Sequence, residues 1–282
     1  MSDRELRLAD FERRLGDFLR QRPGSGPIFR ADGITVRFGG VTACDDVSIE
    51  VNDGQIVALI GPNGAGKTTL FNAVSGFTAP QSGRVRLRGR DISALPAHGR
   101  ARLGMARTFQ QMHPFGTMTA VENLVTAQHV RLRSGFFACG LGLPLGRSED
   151  RAAARRALQI LEFLDIADYA DRVASTLPYG IQRLIEIGRA LALRPSLLLL
   201  DEPVAGMGPE ETSELAARIR RLRDDMGITV LLIEHDIPFT MALADYVYVL
   251  DFGAVIAEGV PAAVRNDPEV KAAYLGQDAE EE

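Results

Sequence analysis

The chain contains a glycine-rich stretch whose residue types suit the binding of phosphate. Residues Gly61 to Thr68 match the pattern G-x-x-x-x-G-K-[ST] and come directly after the apolar run Ile56–Ile60, which predicts a strand buried on both faces. Glycines allow successive backbone N–H groups to surround phosphate oxygens, and a helix after the loop adds its positive end. Lys67 could reach the β- and γ-phosphates, and the Thr68 hydroxyl could ligate Mg²⁺. The loop predicts nucleotide binding without choosing among ATPases, GTPases and kinases.

Two further strands are predicted to end in residues that could act on a bound nucleotide. The apolar run Leu197–Leu200 leads into Asp201 and Glu202. Ligands of open α/β sheets collect at the carboxyl ends of such strands. Asp201 would hold Mg²⁺, generally through water, and Glu202 would polarise the water that attacks the γ-phosphate. His235 comes after the next strand and could donate a hydrogen bond to the γ-phosphate.

The elements that must position these residues are indicated by the hydrophobic pattern. Alternating segments up to about residue 87 predict a small, largely antiparallel sheet. Residues 98–195 are predicted to be mostly helical, with one helix over Ala152–Leu164 and another that begins after the turn Pro178–Gly180 and runs towards Leu193. From Leu197 onward strands alternate with helices, which predicts a parallel sheet with right-handed crossovers.

Bulk composition narrows the functional classes. The 282 residues include 46% hydrophobic and 24% charged residues, in the range of globular proteins. A net charge of −5 argues against a broad nucleic-acid surface. No apolar run reaches the roughly 20 residues needed to cross a bilayer, the N-terminus lacks a signal-peptide pattern, and two cysteines fit neither a disulfide framework nor a metal site. A soluble cytoplasmic protein is expected.

The phosphate loop, the Asp-Glu pair and His235 together resemble the Walker A, Walker B and H-loop motifs of ABC ATPases. The resemblance covers residues 29–276 and implies roles for three further segments. Gln110 matches the Q-loop glutamine that couples Mg²⁺ and water to the helical subdomain. Phe38 stands where the family stacks an aromatic ring on adenine, and residues 177–183 stand where the family has its signature, LSGGQ.

The resemblance implies a complete site for ATP and Mg²⁺. Catalytic roles fall to Glu202, His235 and Gln110. ATP is expected to be bound by Phe38, Gly61, Pro62, Asn63, Gly64, Ala65, Gly66, Lys67, Thr68 and Thr69. Mg²⁺ is expected at Thr68, Gln110 and Asp201. The signature residues, which act on the nucleotide of the opposite subunit, are Leu177, Pro178, Tyr179, Gly180, Ile181 and Gln182.

Two segments resemble one branch of the family, the ATPases of branched-chain amino acid importers. They are residues 125–137 of the helical part and the tail from Asn266 to Gly276. This resemblance implies a second ABC ATPase subunit as a homodimer or heterodimer partner, two transmembrane permease subunits, and a periplasmic solute-binding protein. It implies a location on the inner face of the plasma membrane, through the permeases. It does not fix the cargo, because urea and amide importers look much alike.

The chain departs from the family pattern at three positions. Pro178 replaces the signature serine, Ile181 replaces the glutamine after the last glycine, and Gly208 replaces the usual acid or amide of the D-loop. A weakly catalytic regulatory subunit is therefore one alternative, against which intact Lys67, Glu202 and His235 weigh. A soluble ABC ATPase acting on ribosomes or DNA is another. That alternative requires two fused ATPase units or a coiled-coil insertion, neither of which the sequence contains.

The expected fold is α/β, a P-loop NTPase (RecA-like) parallel-sheet core with an N-terminal antiparallel β subdomain and an inserted helical subdomain. Residues 1–27 are predicted to form an amphipathic helix, over residues 3–20, and a Pro-Gly-Ser linker. Residues 28–260 are predicted to form the ATPase domain, with its helical subdomain at about 111–190. Residues 261–282 would form a helical tail.

Overall fold

The structure is a computed structural model that describes residues 26–109, 115–128 and 144–275. Its strands are β1 (Pro27–Phe38), β2 (Val41–Asn52), β3 (Ile56–Ile60), β4 (Ser82–Leu87), β5 (Arg90–Asp91), β6 (Met105–Arg107), β7 (Leu197–Asp201), β8 (Thr229–Ile233), β9 (Tyr246–Asp251) and β10 (Ala254–Gly259). Its α-helices are α1 (Lys67–Ser75), α2 (Ala97–Arg102), α3 (Ala120–Gln128), α4 (Pro144–Phe163), α5 (Tyr179–Ala192), α6 (Pro209–Asp224), α7 (Ile237–Leu243), α8 (Pro261–Asn266) and α9 (Pro268–Leu275). The predicted N-terminal helix lies outside the described residues.

The described residues form two compact units, and the larger one contains both sheets. It comprises the residues up to Arg107 and those from Ser196 onward. Its main sheet has, among the described residues, six strands in the order β10-β9-β3-β8-β7-β6. All neighbours in this sheet are parallel except β10, which is antiparallel to β9. Every residue of β3, β7 and β8 is buried, as apolar runs without alternation predict for central parallel strands.

A smaller antiparallel sheet packs into the same hydrophobic core. Its described strands have the order β2-β1-β4-β5. Val47, Ile49 and Val51 of β2 alternate with more exposed residues, so one face of the strand is buried with Val57 and Leu59 of β3. The predicted antiparallel sheet beside a parallel core is therefore confirmed.

Residues within 108–195 form the second unit, which is helical. Helices α3, α4 and α5 pack on one another, and the Leu124 and Leu164 side chains lie against Gly188 of α5. A fully buried amide organises the turn before α3. Asn123 accepts a hydrogen bond from the Phe115 N–H at 2.8 Å, and its Nδ2 donates to the carbonyl oxygens of Phe115, Met118 and Thr119.

The structure differs from the sequence expectations in three local respects. Helix α4 begins at Pro144, earlier than the predicted Ala152. Helix α5 begins at Tyr179, so Tyr179 and Gly180 form its first turn and only Pro178 lies outside it. The short strand β6 lies in a region predicted to be helical. It was not predicted because three residues are too few to show a strand periodicity. Among the described helices, none combines the length and the apolar character of a membrane span.

We expect Asn123→Leu to lower the free energy of unfolding by about 2 kcal/mol, because the similar-sized side chain leaves backbone groups of the turn without partners. Thr126→Val on the same helix is the matched control. Its hydroxyl donates to the Glu122 carbonyl in a solvent-accessible position, so a change below about 0.5 kcal/mol is expected. Denaturant titration of both variants checks this, and equal effects would contradict the assigned role of Asn123.

Candidate nucleotide-binding site

The loop between β3 and α1 is shaped by close contacts with two other backbone segments. Gly61 has a φ of +149°, and a Cβ there would lie 2.0 Å from the Leu250 carbonyl oxygen. Gly66 has a φ of +99°, and a Cβ there would lie 2.2 Å from the Ala43 carbonyl oxygen. Since both obstacles are backbone atoms, no side-chain movement could relieve them. These two glycines are required by the packing of the loop as well as by its conformation.

Backbone hydrogen bonds hold the loop to the turn between β9 and β10. The Gly253 N–H donates to the Ala65 carbonyl at 3.0 Å, and the Gly253 carbonyl accepts from the Asp45 N–H at 2.8 Å. Helix α1 then begins directly after Gly66, and its N-terminal N–H groups have no partners within the helix. The sequence therefore builds a rigid loop that leads into an anion-binding helix end.

Lys67 is folded into the loop that precedes it. Its Nζ donates to the carbonyl oxygens of Gly61 and Pro62 at 2.6 and 2.8 Å, and the residue is 7% exposed. Burial lowers the pKa of Lys67, and the charge of Glu202 opposes that shift. The ammonium group is thus held by the loop carbonyls, under the influence of the carboxylate that comes after β7.

The two acids at the end of β7 differ in environment and in backbone conformation. Asp201 is 2% exposed, and its Oδ2 atom forms an ion pair with the Arg107 guanidinium at 2.7 Å. Glu202 is half-buried and adopts a left-handed φ of +45°, which is unfavourable for a residue with a Cβ. Its N–H donates to the Ile233 carbonyl, so the conformation is fixed by the neighbouring strand. The turn directs two adjacent carboxylates into different surroundings.

A third acid, Glu234, is fully buried at the end of β8. Its Oε1 accepts from the Val204 N–H at 3.0 Å, and its Oε2 accepts from the His235 N–H at 3.1 Å. One carboxylate therefore holds together the loops after β7 and β8. His235 itself is exposed, with its Nδ1 3.8 Å from the Glu234 Oε2.

Among the other predicted residues of this unit, Pro62 and Ala65 are buried, and Phe38, Asn63 and Thr68 lie on accessible surface. The Phe38 ring, at the end of β1, is 55% exposed, as a ring available for stacking must be. Thr68 and Asn63 are exposed and Thr69 is half-buried. Gln110 lies outside the described residues.

The predicted signature segment belongs to the helical unit. Pro178 is the N-cap of α5 and provides no side-chain hydrogen bond to the helix. Gly180 is buried, whereas Tyr179 is 44% exposed. The Gln182 side chain donates to the Leu177 carbonyl at 2.8 Å, which fixes the chain before the helix. The helix end offers backbone N–H groups without the hydroxyl that the family pattern supplies.

The structural roles of Arg107 and Glu234 were not predicted from the sequence. Arg107 ends the unpredicted strand β6, so nothing placed it beside Asp201. Glu234 precedes His235 and could be interpreted only as one acid in a polar run. The signal that could have identified it is its position directly after the apolar strand Thr229–Ile233, where a side chain still faces the interior.

Comparisons with known proteins agree with this arrangement. Residues 44–205 match the family model described as ABC transporter, and residues 254–280 match one described as branched-chain amino acid ATP-binding cassette transporter. The chain is 46% identical over 253 residues to the high-affinity branched-chain amino acid transport ATP-binding protein BraF of Pseudomonas aeruginosa, with 90% of this chain and 99% of the relative covered. It is 44% identical to the corresponding protein LivG of Escherichia coli K12, with the same coverage.

Solved structures give the same result for the fold. An ATP-binding cassette of an ABC transporter, crystallised in its ADP conformation, superimposes with a TM-score of 0.79 at 35% identity, over 89% of this chain and 100% of the other. A nucleotide-free cassette superimposes with a TM-score of 0.77 at 35% identity, over 88% and 98% of the two chains.

We expect Gly66→Ala to weaken ATP binding by at least about a hundredfold, or 2.7 kcal/mol, because the new methyl group collides with the Ala43 carbonyl. Gly64→Ala is the matched control. Gly64 also has a positive φ, of +80°, but a Cβ there meets no atom within 4 Å. The ATP affinity of Gly64→Ala should fall by less than about tenfold. Titration with a fluorescent ATP analogue distinguishes the two, and equal losses would show that packing against Ala43 does not shape the loop.

We expect Glu234→Gln to remove a pH dependence of stability. Burial raises the pKa of Glu234 above its ordinary value of 4.5. Protonation of Glu234 therefore stabilises the folded state below about pH 4.5, and this contribution is lost as the pH rises through the folded-state pKa. The unfolding free energy of the wild type, relative to that of the variant, should fall as the pH increases over that window.

Denaturant titrations at several pH values from about 4.5 upward measure this difference. A flat difference for Glu234→Gln would contradict the inferred shift in its pKa.

Proposed function

The chain belongs to the ABC transporter family of ATP-binding proteins, and from that premise we propose that it hydrolyses ATP to drive the import of branched-chain amino acids. The relatives BraF and LivG are branched-chain amino acid transport proteins and are covered over nearly their whole length. Urea or amides are the alternative cargo.

One observation carries the catalytic part of the proposal. The phosphate loop, Asp201 with Glu202, and Glu234 with His235 lie at the ends of the parallel strands β3, β7 and β8, and β8 lies between the other two. The carboxyl ends of these strands share one edge of the sheet, where nucleotides bind in open α/β folds. Phosphate binding and water activation can therefore be performed side by side.

In this proposal the phosphates lie in the loop and at the start of α1. The Lys67 ammonium transfers its hydrogen bonds from the loop carbonyls to the phosphates, and the exposed Phe38 ring stacks on adenine. The nucleotide-binding residues are Phe38, Gly61, Pro62, Asn63, Gly64, Ala65, Gly66, Lys67, Thr68 and Thr69.

The residues at this edge fit a Mg²⁺ ion. Mg²⁺ in nucleotide sites takes one or two protein oxygens together with phosphate oxygens and water. Asp201 and Thr68 offer such oxygen donors, and we assign Gln110 as the third contact. Among the described residues no group of three or more His, Cys, Asp or Glu side chains could hold a metal. The ion would neutralise charge on the phosphates.

Glu202 is proposed to accept the proton of the attacking water, and His235 and Gln110 to contact the γ-phosphate region. Glu202 has a left-handed φ of +45°, whereas Asp201 is the last residue of strand β7, so the two neighbouring acids differ in backbone conformation and can take different tasks. A base must lie within hydrogen-bond reach of the water it activates.

The signature residues 177–182 are proposed to act on ATP bound by a second ABC ATPase subunit, so that ATP joins the two subunits. Two permease subunits and a periplasmic binding protein would complete the importer and place this chain at the inner face of the plasma membrane. We also propose the domain boundaries that the sequence predicts: an N-terminal segment to residue 27, the ATPase domain at 28–260 with a helical subdomain at about 111–190, and a tail from 261.

We expect Glu202→Gln to keep ATP affinity within about tenfold while hydrolysis falls below a tenth of wild type, because the base is lost and the phosphate contacts remain. ATP binding and phosphate release are measured on the complex reconstituted with its partner ATPase and permeases. Glu210→Gln, at an exposed site, should hydrolyse ATP normally.

The same complex in proteoliposomes tests the cargo. Leucine uptake that depends on ATP and is lost with Glu202→Gln supports the proposal. Uptake of urea but not leucine would show that urea is the cargo. Hydrolysis by Glu202→Gln above about a tenth of the wild-type rate would contradict the role of Glu202 as the base.

A further inference from the structure

Arg107 forms a buried junction at the edge of the proposed Mg²⁺ site. It is the last residue of β6, next to β7, and its side chain is 6% exposed. Its NH2 group donates to the Asp201 Oδ2 at 2.7 Å. Loss of the partner of a buried carboxylate strongly destabilises the folded protein.

The same guanidinium reaches helix α1. Its NH1 group donates to the Asn72 Oδ1 at 2.8 Å and to the Ser75 Oγ at 2.7 Å. Helix α1 is the helix that begins with Lys67 and Thr68, directly after the phosphate loop. Arg107 therefore links the carboxylate at the end of β7 to the helix whose first turn carries the other proposed Mg²⁺ contact.

Two aromatic rings pack against this guanidinium group. The Arg107 Cζ lies 5.4 Å from the Phe71 ring centre and 5.6 Å from the Phe77 ring centre. Arginine suits this position because its planar fork can stack on rings and donate in several directions at once. A lysine would keep the charge but has no planar fork to donate to all three oxygens while it stacks on the rings.

We propose that Arg107 is a positioning residue for Mg²⁺-ATP: it holds Asp201 in a fixed relation to helix α1, and thereby to Thr68. The inference rests on the proposed function, since it takes Asp201 and Thr68 as Mg²⁺ contacts. A positive charge beside a metal-binding carboxylate weakens its attraction for a cation, so the benefit of Arg107 must come from geometry. Residues that orient metal ligands in this way typically affect metal affinity by about 10- to 100-fold.

Arg107→Lys and Arg107→Met test this proposal. ATP binding is followed with a fluorescent ATP analogue, first in EDTA and then across a Mg²⁺ titration, alongside thermal unfolding. In both variants, the Mg²⁺ concentration that gives half of the increase in ATP affinity should rise by about tenfold. The ATP affinity in EDTA should stay within about twofold of wild type. Steady-state hydrolysis should show a higher Mg²⁺ requirement and a lower kcat.

Arg100→Lys is the matched control. Arg100 is also buried, and it donates to the Ala73 and Val74 carbonyls, in the same C-terminal part of α1 that Arg107 contacts. It forms no hydrogen bond with Asp201 among those of the described residues, so its replacement should lower the unfolding temperature without changing the Mg²⁺ requirement. Ser75→Ala removes one acceptor of Arg107 and should raise the Mg²⁺ requirement by about threefold, even if the Arg107 variants fail to fold.

Three results would overturn the proposal. In the first, Arg107→Lys matches wild type and Arg107→Met binds Mg²⁺-ATP more tightly, which indicates a role through charge alone. In the second, the Arg107 variants lower the unfolding temperature as Arg100→Lys does and weaken ATP binding in EDTA, with the Mg²⁺ requirement unchanged, which indicates a purely structural role. In the third, Ser75→Ala leaves the Mg²⁺ requirement unchanged. If wild type itself binds ATP without any response to Mg²⁺, the proposed function fails independently of Arg107.

Discussion

The geometry at the carboxyl ends of the parallel strands depends on one constraint, that a charge removed from water must be paired or hydrogen-bonded. Asp201 and Glu234 are both buried there. Asp201 is satisfied by a guanidinium and Glu234 by backbone N–H groups of two successive loops. Because the penalty for an unpaired buried carboxylate is several kcal/mol, these partners determine where the loops lie. The loop conformations are consequences of charge burial as much as of turn preference.

The phosphate loop obeys a different constraint, which is steric. It packs against backbone carbonyls on two sides, and glycine at positions 61 and 66 avoids the Cβ atoms that would collide with them. The resulting cradle is already formed by the protein, so a phosphate has little conformational entropy to overcome on binding. Lys67 donates hydrogen bonds to two carbonyls of the loop, those of Gly61 and Pro62.

Most of the fold and the general position of the site could be predicted from the sequence, because both depend on local patterns. The apolar run Ile56–Ile60 predicts a central strand, and the spacing from Gly61 to Thr68 predicts a phosphate-binding loop directly after it. The contacts that tie the site together join residues distant in sequence, as Arg107 joins Asp201 and Glu234 joins Val204. No local pattern encodes such pairs. The three-residue strand β6 was missed for a related reason: its conformation is imposed by pairing with β7, not by its own sequence.

The contact between Gly61 and the Leu250 carbonyl has a consequence for the order of events during synthesis. The ribosome releases the phosphate loop long before strand β9, which packs against it, and before Gly253, which donates to Ala65. A nascent chain that has the loop sequence but lacks β9 cannot yet give the loop its shape. ATP therefore cannot stabilise, as a bound ligand, any folding intermediate that lacks β9.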